Sequence, residues 1–152
     1  MRIEPATPSD VDRMNEISEA AKVAMRGMGI DQWQDGYPNR ACWQADVEAG
    51  FAYVVRDDEG KVAGAFSFVA DAEANDPEPS YGTIDGAWLT PDANYAAIHR
   101  VCVAPEAKGK GVAGMMFDFS RKKAFDLGLS SLRIDTHADN APMQRALSKA
   151  GF

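Results

Sequence analysis

Seven residues at 108–114, KGKGVAG, carry three glycines and two lysines between an apolar run that stops at Val103 and a stretch with helical spacing. A helix that opens just after glycines presents unpaired N–H groups and the positive end of its dipole. Glycines let an anion approach those groups without meeting side chains. Lys108 and Lys110 add positive charge at the same mouth. The chemistry these residue types suit is the holding of a pyrophosphate, although a tight strand-to-helix corner uses glycines in the same way.

Two nucleotide motifs lie near this pattern. A P-loop needs a lysine and a hydroxyl after its last glycine, but Gly111 is followed by Val112 and Ala113, so the groups that would hold a γ-phosphate and magnesium are missing. Gly109, Gly111 and Gly114 match GxGxxG literally, with Asp135 further on where a ribose-binding acid would fall. Yet Ala104 to Lys108 separate the strand from the first glycine, and too little chain follows Gly114 to build the further βαβ units of a dinucleotide fold. NAD or FAD is therefore the weaker reading.

His99 and His137 are the two histidines, each in an apparent strand and far apart, so no dedicated metal site is expected. An imidazole titrates near neutrality, which makes His99 the best candidate base, with His137, beside Asp135, of similar standing. A packed, hydrogen-bonded strand histidine is the alternative for both. Trp33, Tyr37 and Trp88 could wall a ligand pocket and suit a cationic amine; core packing or a lid accounts for the same residues. Cys42 and Cys102 show no CxxC spacing and suit a reducing interior. Cys102 is expected to be a buried strand thiol.

The elements that must position these groups follow from periodicity. Met1–Ala6 reads as an edge strand, and Ser9 or Asp10 caps a helix whose Val11, Met14, Ile17, Ala21 and Met25 form one apolar stripe. GMGIDQWQDGYPNR breaks that pattern as a loop, and RACWQADVEAG is a short helix ended by Gly50. FAYVVRDDEGKVAGAFSFVAD is an antiparallel hairpin turning at Asp58–Gly60, and AEANDPEPS an exposed acidic loop. YGTIDGAWLT fits strand or loop. YAAIHRVCVAP is a strand stopped by Pro105, a helix runs from Gly111 to about Leu127, SLRIDTH is a strand, and Asp139 or Asn140 caps a last helix with Pro142 in its first turn. Met115, Met116 and Phe119 read as core. The order points to an α/β fold with a mixed, mostly antiparallel central sheet flanked by helices.

A chain of 152 residues, 45% hydrophobic and 26% charged, is the size and balance of one globular domain. Its formal net charge of −7 argues against nucleic acid or an anionic membrane as partner and favours an amine-bearing one. The N-terminus lacks a basic-then-apolar signal pattern, and no apolar run approaches the ~18 residues of a spanning helix. A soluble, cytoplasmic protein is expected.

Lys108–Ala113, KGKGVA, resembles the [QR]xxGx[GA] loop of the GNAT superfamily of N-acetyltransferases, with Lys in place of Arg or Gln. RIDTHADNAPMQRALSKAGF is similar to that family's strand, Asn-capped helix and Gly-Phe ending, and QWQDGYP and AIHRVCVAP resemble a small bacterial subgroup of it. The resemblance implies the acyl-CoA N-acyltransferase fold over 1–152 as one domain, and transfer of an acetyl group from acetyl-CoA to a primary amine of a small molecule or peptide. A non-catalytic acyl-CoA-binding module is the alternative. It further implies that Ile98–Val103 splays from its neighbour, that the main chain of Val101 and Val103 lines the pantetheine arm, and that the Val103 amide polarises the thioester carbonyl. Lys108, Gly109, Lys110, Gly111, Val112, Ala113 and Gly114 would hold the pyrophosphate, and Asn140 would reach the cofactor or serve as an ordinary helix cap. Family members commonly protonate the leaving thiolate with a tyrosine, and Leu147 occupies that position. The family also usually continues past Gly-Phe with two more strands, whereas Phe152 is last here. Either the sequence is trimmed, or the acceptor side is open or finished by a partner subunit in a homodimer.

Overall fold

The computed structural model describes residues 1–76, 81, 84–90 and 93–152. Strands β1 (Arg2–Pro5), β2 (Ala52–Arg56), β3 (Val62–Val69), β4 (Tyr95–Val103) and β5 (Ser131–Arg133) form one sheet in chain order. Neighbours are antiparallel except β4 and β5, which run parallel. Helices α1 (Val11–Gly27), α2 (Arg40–Glu48), α3 (Ala72–Asn75), α4 (Val112–Asp126) and α5 (Ala141–Ala150) flank it. This is the mixed, mostly antiparallel α/β architecture expected from the pattern of elements.

The two-residue period of β3 assigns its faces. Ser67 reaches Asp46 of α2, whereas Gly64 lies against Met116 of α4 and the Phe66 ring meets Phe119 at 6.0 Å. Helix α2 is tied to α1 by the Trp43 indole, which donates to the Ser18 hydroxyl at 3.2 Å. The sheet is thus covered on one face by α1 and α2 and on the other by α4, and β3 is buried from end to end.

Gly64 sets how closely α4 rides on the sheet. A Cβ there would sit 2.5 Å from Met116 Cε and 2.9 Å from the Cys102 carbonyl oxygen, and the second neighbour is backbone. We predict that Gly64→Ala lowers stability by about 1–3 kcal/mol through overpacking. An unchanged urea midpoint would refute this.

Two local expectations are corrected, and one open alternative is narrowed. Ala72–Asn75, read as exposed loop, forms a single helical turn with Ala72 buried, because residues that cap and turn can also close one α-turn. The remainder of that predicted loop, 77–80, lies outside the described residues. YGTIDGAWLT contributes no strand over 84–90, and 82–83 lie outside the described residues. Strand β5 is three residues long, so Asp135 and His137 are not in a strand.

The shortness of β5 has a cause in β4. Ser67 pairs with His99 and Ala65 with Cys102, so Phe66 alone opposes Arg100 and Val101, which is a β-bulge. Arg100 takes φ 55°, a left-handed conformation that disfavours a side chain by roughly 1–2 kcal/mol. Its guanidinium donates to the Asp46 carboxylate at 2.9 Å, both side chains being 4% exposed, and the Ser67 hydroxyl donates to the same carboxylate. The Tyr37 ring lies 5.3 Å from the guanidinium carbon. Pairing of β4 with β5 ends at Ala97 and Arg133, just before the bulge, and beyond it the two segments part.

Candidate functional site

The glycine loop enters α4 with its amides bare. A short 3₁₀ turn, Pro105–Ala107, leads to Lys110, whose amide donates to the Ala107 carbonyl at 3.3 Å. Gly109 and Gly111 have φ of 76° and 78°, a conformation open to glycine at little expense. No side chain caps α4, and the first helical bond runs from the Met115 amide to the Gly111 carbonyl. The amides of Gly111, Val112, Ala113 and Gly114 are therefore the four that a helix start leaves without an acceptor. They border a cavity of about 490 Å³ that Lys108 and Lys149 also line. Apart from the adjoining chain, no atom of the described residues lies within 4 Å of where a Cβ on Gly109, Gly111 or Gly114 would stand, so described side chains do not fill this mouth. Lys110 is exposed and does not line the cavity, and Lys149, in the last turn of α5, was not legible as part of it.

Two further cavities continue from there along β4. The second, about 400 Å³ and walled largely by apolar side chains of α1, α4 and α5, shares Val103, Lys108, Ala113 and Ala146 with the first. The third, about 290 Å³, shares Gln32, Trp33, Val101 and Met143 with the second. It fills the gap between the two parted segments, with Ile98–Val101 on one side and Ile134–Thr136 on the other. Val103, Val101 and His99 thus mark three successive stations on one strand. The Ala104 amide bonds to the Ala63 carbonyl of β3 at 2.9 Å, so by strand alternation Val103 turns its own amide the other way, into the gap.

The loop between α1 and α2 roofs the second and third cavities and is held down by side chains of its neighbours. Lys22, buried on α1, donates to the Pro38 carbonyl at 2.5 Å, Gln34 donates to the Lys22 carbonyl at 3.1 Å, and Arg26 donates to the Gln34 side chain at 2.8 Å. Trp33 faces both cavities and Tyr37 the third.

His99 is placed in the third cavity, with Nε2 at 2.7 Å from Asp76 Oδ2 and side chains 9% and 5% exposed. If Nε2 carries the proton given to Asp76, Nδ1 is left as the acceptor. Across the gap the Tyr81 hydroxyl donates to Asp135 Oδ1 at 2.7 Å, and the Tyr81 ring lies 6.1 Å from the His99 ring. Burial, and then the Asp135 and Asp76 carboxylates, push the Tyr81 phenol well above its usual range, so it stays protonated as a donor. Asp76 and Tyr81 were missed by sequence reasoning: one sat in an acidic loop and the other at the start of an ambiguous segment.

Other candidates lie elsewhere. His137 lines none of these three cavities; its Nδ1 accepts from the Asp139 amide at 3.1 Å and shapes the turn into α5. Trp88 lies apart from Trp33 and Tyr37, at a cavity on the β5 edge, where its indole donates to the Tyr81 carbonyl at 2.9 Å and its ring stacks on Arg133 at 4.5 Å. Asn140 caps α5 by accepting from the Met143 amide at 3.2 Å and donates to Gln32 Oε1 at 2.8 Å while lining the second cavity. Leu147 is buried in the core. Cys102 also borders the second cavity, but burial pushes its thiol up to about 12, which keeps it neutral and poorly nucleophilic. Among the described residues, no three or more His, Cys, Asp or Glu side chains are grouped to hold a metal ion, and no helix is long and apolar enough to cross a membrane.

Comparison with known proteins bears on this arrangement. The model of the acetyltransferase (GNAT) family matches residues 12–152. A GNAT-family acetyltransferase of Streptococcus agalactiae, known from its crystal structure, is 27% identical, with a TM-score of 0.76 over 99% of this chain and 83% of that one. A Mycobacterium tuberculosis protein crystallised with CoA and a second ligand, NLQ, shares the fold at 15% identity and a TM-score of 0.66, over 99% of this chain and 70% of that one. Streptothricin acetyltransferase of Escherichia coli is 32% identical over 59 residues, which are 39% of this chain and 34% of that protein, so the match spans about a third of the curated relative.

Proposed function

The chain belongs to the acetyltransferase (GNAT) family, and from that premise we propose that residues 1–152 act as one domain that transfers an acetyl group from acetyl-CoA to the primary amine of a small molecule. The observation that carries this reading is the line of three adjoining cavities along β4, beginning at bare helix amides and ending beside His99. A diphosphate fits the first cavity: four unpaired amides, the dipole of α4 and the Lys108 ammonium all favour an anion. A slender, partly apolar arm suits the second. A Mycobacterium tuberculosis protein with the same fold, crystallised with CoA, supports CoA as the ligand.

When bound, acetyl-CoA supplies the acetyl group as a thioester whose C–S bond breaks as the C–N bond to the amine forms. The chain contributes the rest. The Val103 amide, aimed into the gap, donates to the carbonyl oxygen as it gains charge, a contribution of roughly 3 kcal/mol for a well-aimed donor. His99 accepts the proton that the attacking nitrogen must lose, with Asp76 holding its ring. Leu147 brings no proton to the leaving sulfur, so water fills that role, as a thiolate is a tolerable leaving group. Cys102, held neutral, takes no acetyl group, and transfer is direct. The two free cysteines suit the cytoplasm, to which we assign the protein.

The test is release of CoA thiol from acetyl-CoA with a panel of primary amines, beside calorimetric binding of acetyl-CoA. Amine-dependent release is expected. Release at background with acetyl-CoA bound would leave only a binding module, the reading that the buried Leu147 favours. Stabilisation against heat by NADH but not by acetyl-CoA would overturn both.

A further inference from the structure

The third cavity says something about the amine. Its polar lining is unbalanced in sign: Arg100 is matched by Asp46, which leaves Asp135 on one wall and the His99–Asp76 pair on the other, with no lysine among the described lining residues. Among the described residues Asp135 has one partner, the Tyr81 hydroxyl on Oδ1, and it is exposed, so Oδ2 is available. Tyr81 remains a protonated donor there, so it orients that carboxylate without neutralising it. Trp33 and Tyr81 add aromatic faces, which attract cations. The volume, about 290 Å³, is at the small end for ligand sites, which suits a compact molecule.

Position separates two subsites. A nitrogen that attacks a thioester lying in the second cavity must sit at the junction, which Gln32, Trp33, Val101 and Met143 mark. Asp135 stands on the Ile134–Thr136 wall of the third cavity, opposite the strand that carries His99, and it does not line the second cavity, so it is set apart from both the base and the junction. A carboxylate there has no use for the reacting nitrogen, which must become neutral. It suits a second group that stays charged.

Resting on the transferase reading above, we propose that the acceptor is a compact diamine: a molecule with one amine to be acetylated and a second cationic group held by Asp135 and Tyr81. The attacking nitrogen passes its proton to His99, and the distal ammonium keeps its own.

The test compares 1,5-diaminopentane with n-pentylamine, which has the same chain length and one charge fewer, on the full chain with acetyl-CoA, following CoA release. The diamine is expected to exceed the monoamine at least tenfold in kcat/KM. Asp135→Asn is expected to collapse that ratio toward one, mainly through KM for the diamine, and Tyr81→Phe to lower it partway. Unchanged thermal melts establish that both variants fold. Equal kcat/KM for the two amines, or a ratio that survives Asp135→Asn, would overturn the diamine assignment while leaving the transferase reading intact. No release with either amine or with the wider panel, with acetyl-CoA still bound, would overturn both.

Discussion

Asp46→Ala is expected to lower the stability of the fold by about 3–5 kcal/mol, the range for breaking a buried ion pair from one side. The effect is large because the loss is not confined to one contact. Arg100 would keep its charge with its side chain 4% exposed, the Ser67 hydroxyl would lose its acceptor, and the left-handed turn at Arg100 would lose what holds it. Exposed pairs such as Lys122–Asp126 contrast with this, since solvent screens them and their deletion is worth under about 1 kcal/mol. Urea unfolding of Asp46→Ala and Asp126→Ala side by side checks the comparison. A loss at Asp46 as small as at Asp126 would show that the network does not hold the bulge.

His99→Ala is expected to reduce kcat by about 10²–10⁴-fold, the usual worth of a positioned base. KM for acetyl-CoA should stay nearly constant, because His99 lines the third cavity and neither of the other two. Asp76→Asn should give a smaller fall in kcat in the same direction, since the imidazole remains but loses the carboxylate that orients it. Steady-state kinetics with a reactive amine, with thermal melts to confirm folding, would decide. Turnover of His99→Ala within about twofold of the unmodified protein would remove this side chain from the chemistry and leave it the packed strand histidine that its burial also permits.

How far these residues were legible in the sequence depends on the range of the forces that place them. The glycine loop, the hairpin, the Asn140 cap and the helix stops at Gly50 and Gly128 were readable because each rests on a requirement met within a few residues. The face of α1 was readable for the same reason, through Val11, Met14, Ile17 and Met25. His99 was noticed by type, but its partner Asp76 comes from 23 residues earlier, through a one-turn helix that short-range patterns did not reveal. Arg100 gave no local hint of a positive φ, because its conformation is held by Asp46, 54 residues away, and by Tyr37. The early end of β5 follows from that bulge, which is why Asp135 and His137 were misassigned to a strand. Trp88 was grouped with Trp33 and Tyr37 by residue type alone, and type says nothing about which edge of a sheet a ring will cover.

The bulge at Arg100 also bears on how this protein could be made to withstand heat. Removing one residue there would relieve the left-handed backbone and let β4 and β5 zip further, gaining ladder hydrogen bonds. The same change would shut the opening that we propose as the acceptor's place. A screen rewarding heat tolerance alone would therefore be drawn toward inert variants, and robustness has to be sought at positions remote from β4.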